Sequence, residues 1–207
     1  MSKRLRVHPD NPQGRLLEQA VAEIRAGGII VYPTDSSYAL GCALGDKSGQ
    51  EKIRQIRRTS IDHEFTLVCR DLSEIATYAR VDNSAYRLLK SLTPGPYTFV
   101  LRATSEVPKR LQNPKRRSIG LRVPDNRIAQ ALLTALGEPI MSSTLQLPED
   151  DLPLTEPDEI EDRLGNRIDV LIDGGAGGLE PTTVLDLSAG HVEIVRRGKG
   201  PTAAFED

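Results

Sequence analysis

The stretch Gly28-Ile29-Ile30-Val31-Tyr32-Pro33-Thr34-Asp35-Ser36-Ser37-Tyr38-Ala39-Leu40-Gly41 decides how the rest of the chain is read. Ile29 to Tyr32 is a short apolar run rich in β-branched residues, the signature of a buried strand. Pro33 has no amide hydrogen for a sheet ladder, so pairing should stop there. Hydroxyls and one carboxylate follow at once, and binding groups concentrate on loops placed by a rigid strand. A hydroxyl-rich turn that satisfies its own backbone explains the same residues, and the local sequence does not separate the two.

Outward from this stretch, strand and helix patterns alternate. Upstream, Leu5 and Val7 suggest a strand stopped at Pro9, and Leu16, Leu17, Ala20, Val21 and Ile24 recur with helical spacing up to Gly27-Gly28. Downstream, Leu40 to Leu44 leads to a helix capped by Asp46 or Ser48, with Ile53 and Ile56 inward and Lys52, Arg54, Arg57 and Arg58 on its outer face. Further strands are expected at 65–69, 97–101, 118–123, 139–144, 168–172, 182–187 and 192–196, with helices at 72–79, 83–92, 128–136 and up to Leu164. Asp173 to Gly178 reads as a flexible glycine-rich connection. The alternation predicts an α/β fold, and the short connections in the last third predict some antiparallel pairing. The expectation is one domain over 1–207, with a core at about 13–200, built on a twisted open mixed parallel/antiparallel sheet with flanking helices.

A chain of 207 residues with 38% hydrophobic residues and no tryptophan can bury one sizeable aliphatic core. Its formal charge of −2 hides a segregation. Lys109, Arg110, Lys115, Arg116, Arg117 and Arg122 follow one another with no acid between them, and Glu149, Asp150, Asp151, Glu156, Asp158, Glu159, Glu161 and Asp162 with no base. One region suits an anion and the other repels it. A solvated loop around Pro108 and Pro114 explains the basic run equally well. Cys42 and Cys69 stand in apolar contexts and read as buried thiols. No apolar run reaches membrane-spanning length and the N-terminus lacks an apolar leader, so a cytoplasmic protein without membrane contact is expected.

Phosphate-loop, dinucleotide and paired Cys-x-x-Cys motifs are absent. His8, His63 and His191 are scattered, which leaves no evident transition-metal site. Ser142 lacks the glycine-flanked elbow that exposes a nucleophilic serine. The residues that remain sit at several strand ends: Thr34 to Tyr38, Arg54 to Arg58, Arg122, Ser142 to Thr144 and Arg196-Arg197. Arginine forks bind phosphate or carboxylate bidentately, and hydroxyls with strand-end amides complete the coordination. For any single arginine, a solvated surface position is the competing explanation.

Tyr32-Pro33-Thr34-Asp35-Ser36-Ser37-Tyr38-Ala39-Leu40-Gly41 resembles the YPT(E/D)T-x-YGLG signature of the YrdC-like family of L-threonylcarbamoyladenylate synthases. Thr93 to Leu101 resembles its WPGP-x-T-F-V-L segment, Gly120 to Pro124 its V-x-R-x-P segment, and Pro139 to Thr144 its P-L-x-S-T-S-A-N segment. Thr182 to Leu187 and Arg196-Arg197-Gly198 resemble its S-T-V-V-D and final R-x-G. Order and spacing cover nearly the whole chain. His8 to Pro12 and Phe65 to Ser73 are most similar to the YciO branch. The chain departs from the family where a lysine becomes Gln55, where lysine-proline-leucine becomes Phe65-Thr66-Leu67, and where an asparagine becomes Gln146. Arg58 offers an alternative register to Arg57, and Lys52 or Arg54 is a substitute for the missing lysine's charge.

The resemblance implies a twisted α/β sheet with a basic concave face, and a reaction joining L-threonine, bicarbonate and ATP into threonylcarbamoyl-AMP and pyrophosphate for tRNA modification. It implies Thr34 and Arg122 on threonine, with Arg122 on its carboxylate, and Arg57, Ser142, Thr144 and Arg196 on ATP. ATP is then a substrate arriving with Mg2+, with no tightly bound cofactor or protein-held metal, and no catalytic residue is assigned. A differently specific or non-catalytic protein that holds double-stranded RNA or tRNA on the same basic face is the alternative, and its binding would fall steeply with salt.

Overall fold

Residues 2–60 and 65–206 are described by the computed structural model. In chain order the elements are β1 (Lys3–Arg6), α1 (Gly14–Arg25), β2 (Ile30–Tyr32), β3 (Ala39–Ala43), α2 (Lys47–Arg57), β4 (Thr66–Val68), α3 (Leu72–Tyr78) and α4 (Asn83–Leu92). They continue as β5 (Tyr97–Arg102), β6 (Ser118–Arg122), α5 (Arg127–Leu136), β7 (Ile140–Thr144), α6 (Pro157–Leu164), β8 (Val170–Asp173), β9 (Thr183–Asp186) and β10 (Glu193–Arg196). The strands form one mixed sheet in the order β1-β8-β2-β3-β7-β4-β6-β5-β9-β10. β8 runs parallel to β1 and β2, β4 to β6, and β5 to β9; the remaining neighbours are antiparallel.

Local chemistry starts and stops the helices where the sequence places them. Asp71, Asp82 and Asn126 accept from the amides of Glu74, Ala85 and Ala129 at the starts of α3, α4 and α5. Gly137 takes the left-handed φ of 78° that closes α5. Asp46 holds the position before α2 but makes no side-chain cap bond.

Period-two alternation sorts the strand residues onto two faces. Ile29, Val31, Leu40, Leu67, Phe99, Leu121, Met141, Leu171 and Leu185 face a core completed by residues of α2, α3, α4 and α6, such as Ile53, Ile75, Leu89 and Ile160. Ile30, Tyr32, Ala39, Val68, Ile140, Val170 and Ile172 face a second core, closed by α1 and α5 through Leu17, Ile24, Ile128 and Leu132. Two helices are too few to cover ten strands. On the second face β4, β6, β5 and β9 are left open, and there the outward residues change to Thr66, Thr98, Val100, Gly120, Arg122 and Val184.

The glycine-rich connection is a strap rather than a free loop. It joins β8 to β9, which lie seven strand spacings apart in the sheet, about 34 Å measured along it. The nine residues between them, 174–182, bend at 175, 176 and 179 and so fall short of their extended reach, and the chain takes the shorter path over the open face, where Leu179 and Pro181 lie. Gly177 donates its amide to the Thr155 carbonyl (2.8 Å), and the Tyr38 hydroxyl donates to the Gly175 carbonyl (2.7 Å). An added Cβ at Gly178 would stand 2.0 Å from the Ser36 carbonyl oxygen. At Gly178 glycine serves close approach, and at Gly175 it serves a left-handed φ of 90°. Among the described residues no helix is long and apolar enough to cross a membrane.

Cys42 and Cys69 are free and buried, as their apolar contexts predict. Burial pushes the Cys42 thiol up from 9.0 to about 12 and raises Cys69 as well. Between those two values the unfolded chain releases a proton that the native Cys42 keeps. Its contribution to stability is therefore full below pH 9.0 and is lost as pH rises toward about 12. Urea midpoints followed upward through this range should fall in the wild type and fall less in Cys42→Ala. Equal slopes would remove the assignment.

Candidate functional site

The open sheet face is the floor of a cavity of about 550 Å³, a size suited to a nucleotide-scale ligand. Thr34, Arg57, Arg122, Ser142, Thr144 and Arg196, distant in sequence, all line it. They come from the β2–β3 loop, the end of α2, β6, β7 and β10, so no local pattern could have shown their meeting.

Arg122 enters from the last residue of β6 and is only 7% exposed. Burial lowers its proton affinity, and the Asp35 carboxylate acts in the opposite direction. Its Nη2 donates to Asp35 Oδ1 in a short ion pair, and its Nη1 donates to Ser36 Oγ at 3.1 Å. Asp35 Oδ2 in turn accepts from the Asp125 amide at 3.0 Å. A guanidinium this far from water requires an anion, and the strand-end loop provides one. The pairing of Asp35 with Arg122 is the feature that the sequence did not reveal.

The hydroxyl loop satisfies its own backbone. Thr34 Oγ1 donates to the Ser37 carbonyl (2.6 Å) and accepts from the amides of Ser36 and Ser37 (3.2 and 3.3 Å), which is a self-satisfied turn. The same residue lines the cavity. Ser142 Oγ donates to the Leu40 carbonyl (3.0 Å) across the β3–β7 pair and shares a 2.9 Å bond with the Tyr32 hydroxyl. Burial pushes that phenol up to about 12, so it stays protonated. Ser142 is thus tied into the sheet, and its neighbour Ser143 accepts from Arg57 Nη1 at 2.6 Å.

Arg57 departs from the outer-face expectation. It is the last residue of α2, and it turns to the cavity, with its Nε donating to the Gln146 carbonyl at 3.3 Å. Arg58 instead takes the left-handed cap at φ 48°, is exposed and stands outside the cavity lining. Arg54 lies 5.3 Å over the Phe65 ring and pairs with Glu51. Lys52 and Gln55 lie beside Asn166 and Arg167, away from the cavity lining. Neither Lys52 nor Arg54 replaces the missing lysine inside the cavity.

A bulge aims Arg196. In the β9–β10 ladder Ile194 pairs with Leu185, yet Arg196 pairs with Val184, so Val195 is an extra residue. Without it, Arg196 would share the core-facing side of Ile194. Its Nε and Nη2 instead donate to the Thr182 carbonyl at 3.1 and 2.9 Å. Burial lowers the proton affinity of Arg57, and the charge of Arg196 adds to it; burial lowers that of Arg196, and Arg122 adds to it. Three coupled cations around one cavity favour a multiply charged anion.

The acidic segment forms a rim, and part of its charge is paired. Arg163 gathers Glu149, Asp150 and Glu159 at 3.3, 2.9 and 3.2 Å. Gln146 Nε2 donates to the Asp150 and Asp151 carbonyls, both at 3.1 Å, so glutamine staples the rim where the resembled family has asparagine. Asp151, Leu152 and Pro153 reach the cavity from this side, and Leu179 and Pro181 from the strap. Among the described residues no group of three His, Cys, Asp or Glu side chains is placed to hold a metal ion, and His63 lies outside those residues.

A family model, Sua5/yciO/yrdC, described as telomere recombination, matches residues 22–198, and the chain belongs to that family. Within it the YciO branch is supported. The Escherichia coli K12 protein YciO is 54% identical over 205 residues, 99% of this chain and 100% of that protein. The crystal structure of E. coli YciO superposes with a TM-score of 0.95 over 100% of both chains. More distantly, a Stenotrophomonas maltophilia protein named threonylcarbamoyl-AMP synthase is 28% identical over 180 residues, 85% of this chain and 96% of that protein. P. abyssi Sua5 complexed with L-threonine shares the fold at 22% identity, with a TM-score of 0.87 over 99% of this chain and 59% of that one.

Asp35→Asn leaves the Arg122 charge buried without its partner and should cost about 3–5 kcal/mol in urea unfolding, most of which Asp35→Asn combined with Arg122→Met should restore. Additive losses would show that the pair does not act as a unit. Gly178→Ala, which forces the strap off Ser36, should cost about 1–3 kcal/mol; a neutral result would mean the strap does not pack against the loop.

Proposed function

We propose that the protein joins L-threonine, bicarbonate and ATP into threonylcarbamoyl-AMP with release of pyrophosphate, feeding the tRNA modification that uses this adenylate. The observation that carries the reading is the convergence of Arg57, Arg122 and Arg196 with the strand-end hydroxyls on one cavity. The name of the Stenotrophomonas relative and the L-threonine in the Sua5 structure support it.

In this reading threonine lies over the β2–β3 loop, with its carboxylate near Arg122 and its hydroxyl or amine near Thr34. Arg122 already holds Asp35, so the substrate carboxylate must share that guanidinium or displace the side-chain carboxylate. ATP lies toward Arg57, Ser142, Thr144 and Arg196, and magnesium accompanies its phosphates as part of the substrate. The neutral amine of threonine attacks the bicarbonate carbon, and loss of water leaves a carbamate. A carbamate oxygen then attacks the α-phosphorus, and pyrophosphate leaves. Both steps gather anions, so the chain's contribution is to hold them in reach and to offset their repulsion with fixed cations.

Pyrophosphate release from the purified protein with magnesium, ATP, threonine and bicarbonate should stop when either threonine or bicarbonate is omitted. Arg196→Ala removes one charge-assisted phosphate contact and should raise the KM for ATP about tenfold or more while leaving that for threonine unchanged. No release above a protein-free control with all substrates present would end this reading.

A further inference from the structure

A second basic cavity, of about 520 Å³, lies on the same open sheet face beyond the first. Thr98, Val100 and Arg102 share one side of β5, and Val184 and Asp186 one side of β9; Arg102 pairs with Ser118 and Val100 with Asp186. From Arg122 to Ser118 along β6 is about 13 Å, and the half-buried Val100 and Val184 separate the two sites. Arg102, Lys115, Arg116 and Arg117 line the second cavity with Asp186, His191 and Glu193.

Cations outnumber their local counter-charges. Asp186 is buried, pairs with Arg116 and accepts from the Ser188 amide at 2.8 Å. Arg102 Nε donates to the neutral Ser188 carbonyl at 2.9 Å, which leaves the outer edge of its fork toward the cavity. Lys115 and Arg117 are exposed and, among the described residues, have no carboxylate partner. Glu193 is exposed on β10 opposite Asp186.

The turn that carries these side chains is fixed. Asn113 Oδ1 accepts from the amides of Lys115 and Arg116, both at 3.0 Å, and the Arg117 amide and carbonyl bond to Asn113 and Ala103, both at 2.8 Å. Arg117 sits at φ 52°, a left-handed conformation that glycine adopts without penalty. A long cationic side chain kept at such a position points to a use for that side chain.

We propose that this cavity is a second anion site, specific for a phosphate group, which Arg102 and Arg117 grip with guanidinium forks and Lys115 with its ammonium. A phosphate group offers several oxygens to paired forks, and the charge of free phosphate, pyrophosphate or successive backbone phosphates outweighs the exposed Glu193, which a single carboxylate does not. The inference does not depend on the synthase reading. Its ligand is either a free phosphate or pyrophosphate, or a phosphate of a nucleic-acid backbone.

Titration of the full chain with inorganic pyrophosphate, followed by amide resonances, should shift Arg117, Ser188 and Gly190 in a saturable way. Lys115→Ala with Arg117→Gly should weaken that response by about tenfold or more. Glycine relieves the left-handed position, so a thermal midpoint no lower than the wild type's shows that the loss is not unfolding. In Arg196→Ala the second-site response should persist while shifts at the first cavity weaken, which separates this test from failure of the proposed reaction. A duplex RNA arm distinguishes sources: salt-sensitive RNA binding lost in the same double variant assigns the site to backbone phosphates, and pyrophosphate binding without it assigns the site to free phosphate. Absence of saturable shifts in the wild type, or equal affinity in the double variant, would overturn the proposal.

Discussion

A guanidinium buried at the end of β6 sets the terms for the functional face. Arg122 has lost most of its hydration, and the protein compensates with Asp35 and Ser36 from a loop nearly ninety positions earlier. That pair fixes where the β2–β3 loop lies, and Gly178 of the strap then closes against the Ser36 carbonyl. A buried ion pair is weak as a source of stability but strong as a constraint, because removing either member strands the other. Arg122 is therefore both a structural anchor and a charge presented to the cavity.

The cavity itself follows from unequal coverage. Four helices pack one side of the sheet and two pack the other, so the strands on the uncovered side expose threonine, glycine and valine in place of large aliphatics. The strap crosses the concavity and the acidic rim is gathered by Arg163, which together give the open face walls. Burial lowers the proton affinity of all three arginines, Arg196 adds to the effect on Arg57 and Arg122 to that on Arg196, and the volume they line is a place where negative charge is favoured.

Departures from the resembled family gain meaning from position. Gln55 lies away from the cavity, so the lost lysine charge is not made good by that residue or by Lys52 or Arg54. Gln146 does reach the site, but it acts on the backbone of the rim.

Strand and helix positions were legible from periodicity, prolines and glycines because each depends on a few neighbouring residues: Gly137 closes α5, and Pro33 ends β2. The family was legible from ordered motifs, and Thr34, Arg57, Arg122, Ser142, Thr144 and Arg196, which the resemblance singles out, line one cavity. What the sequence could not hold was direction. Arg57 looked outward by helical position and turns inward at the helix end, where the backbone changes course. Arg196 faces the cavity because of one extra residue in β10, and Asp173 to Gly178 looked loose although Gly177 bonds to Thr155 and Gly178 packs against Ser36. The sequence by itself determined the elements, the family and the charges available, since these are local properties. Tertiary structure alone decided that Asp35 neutralises Arg122 and that the arginines meet, because burial and long-range pairing belong to the assembled sheet and not to any stretch of chain.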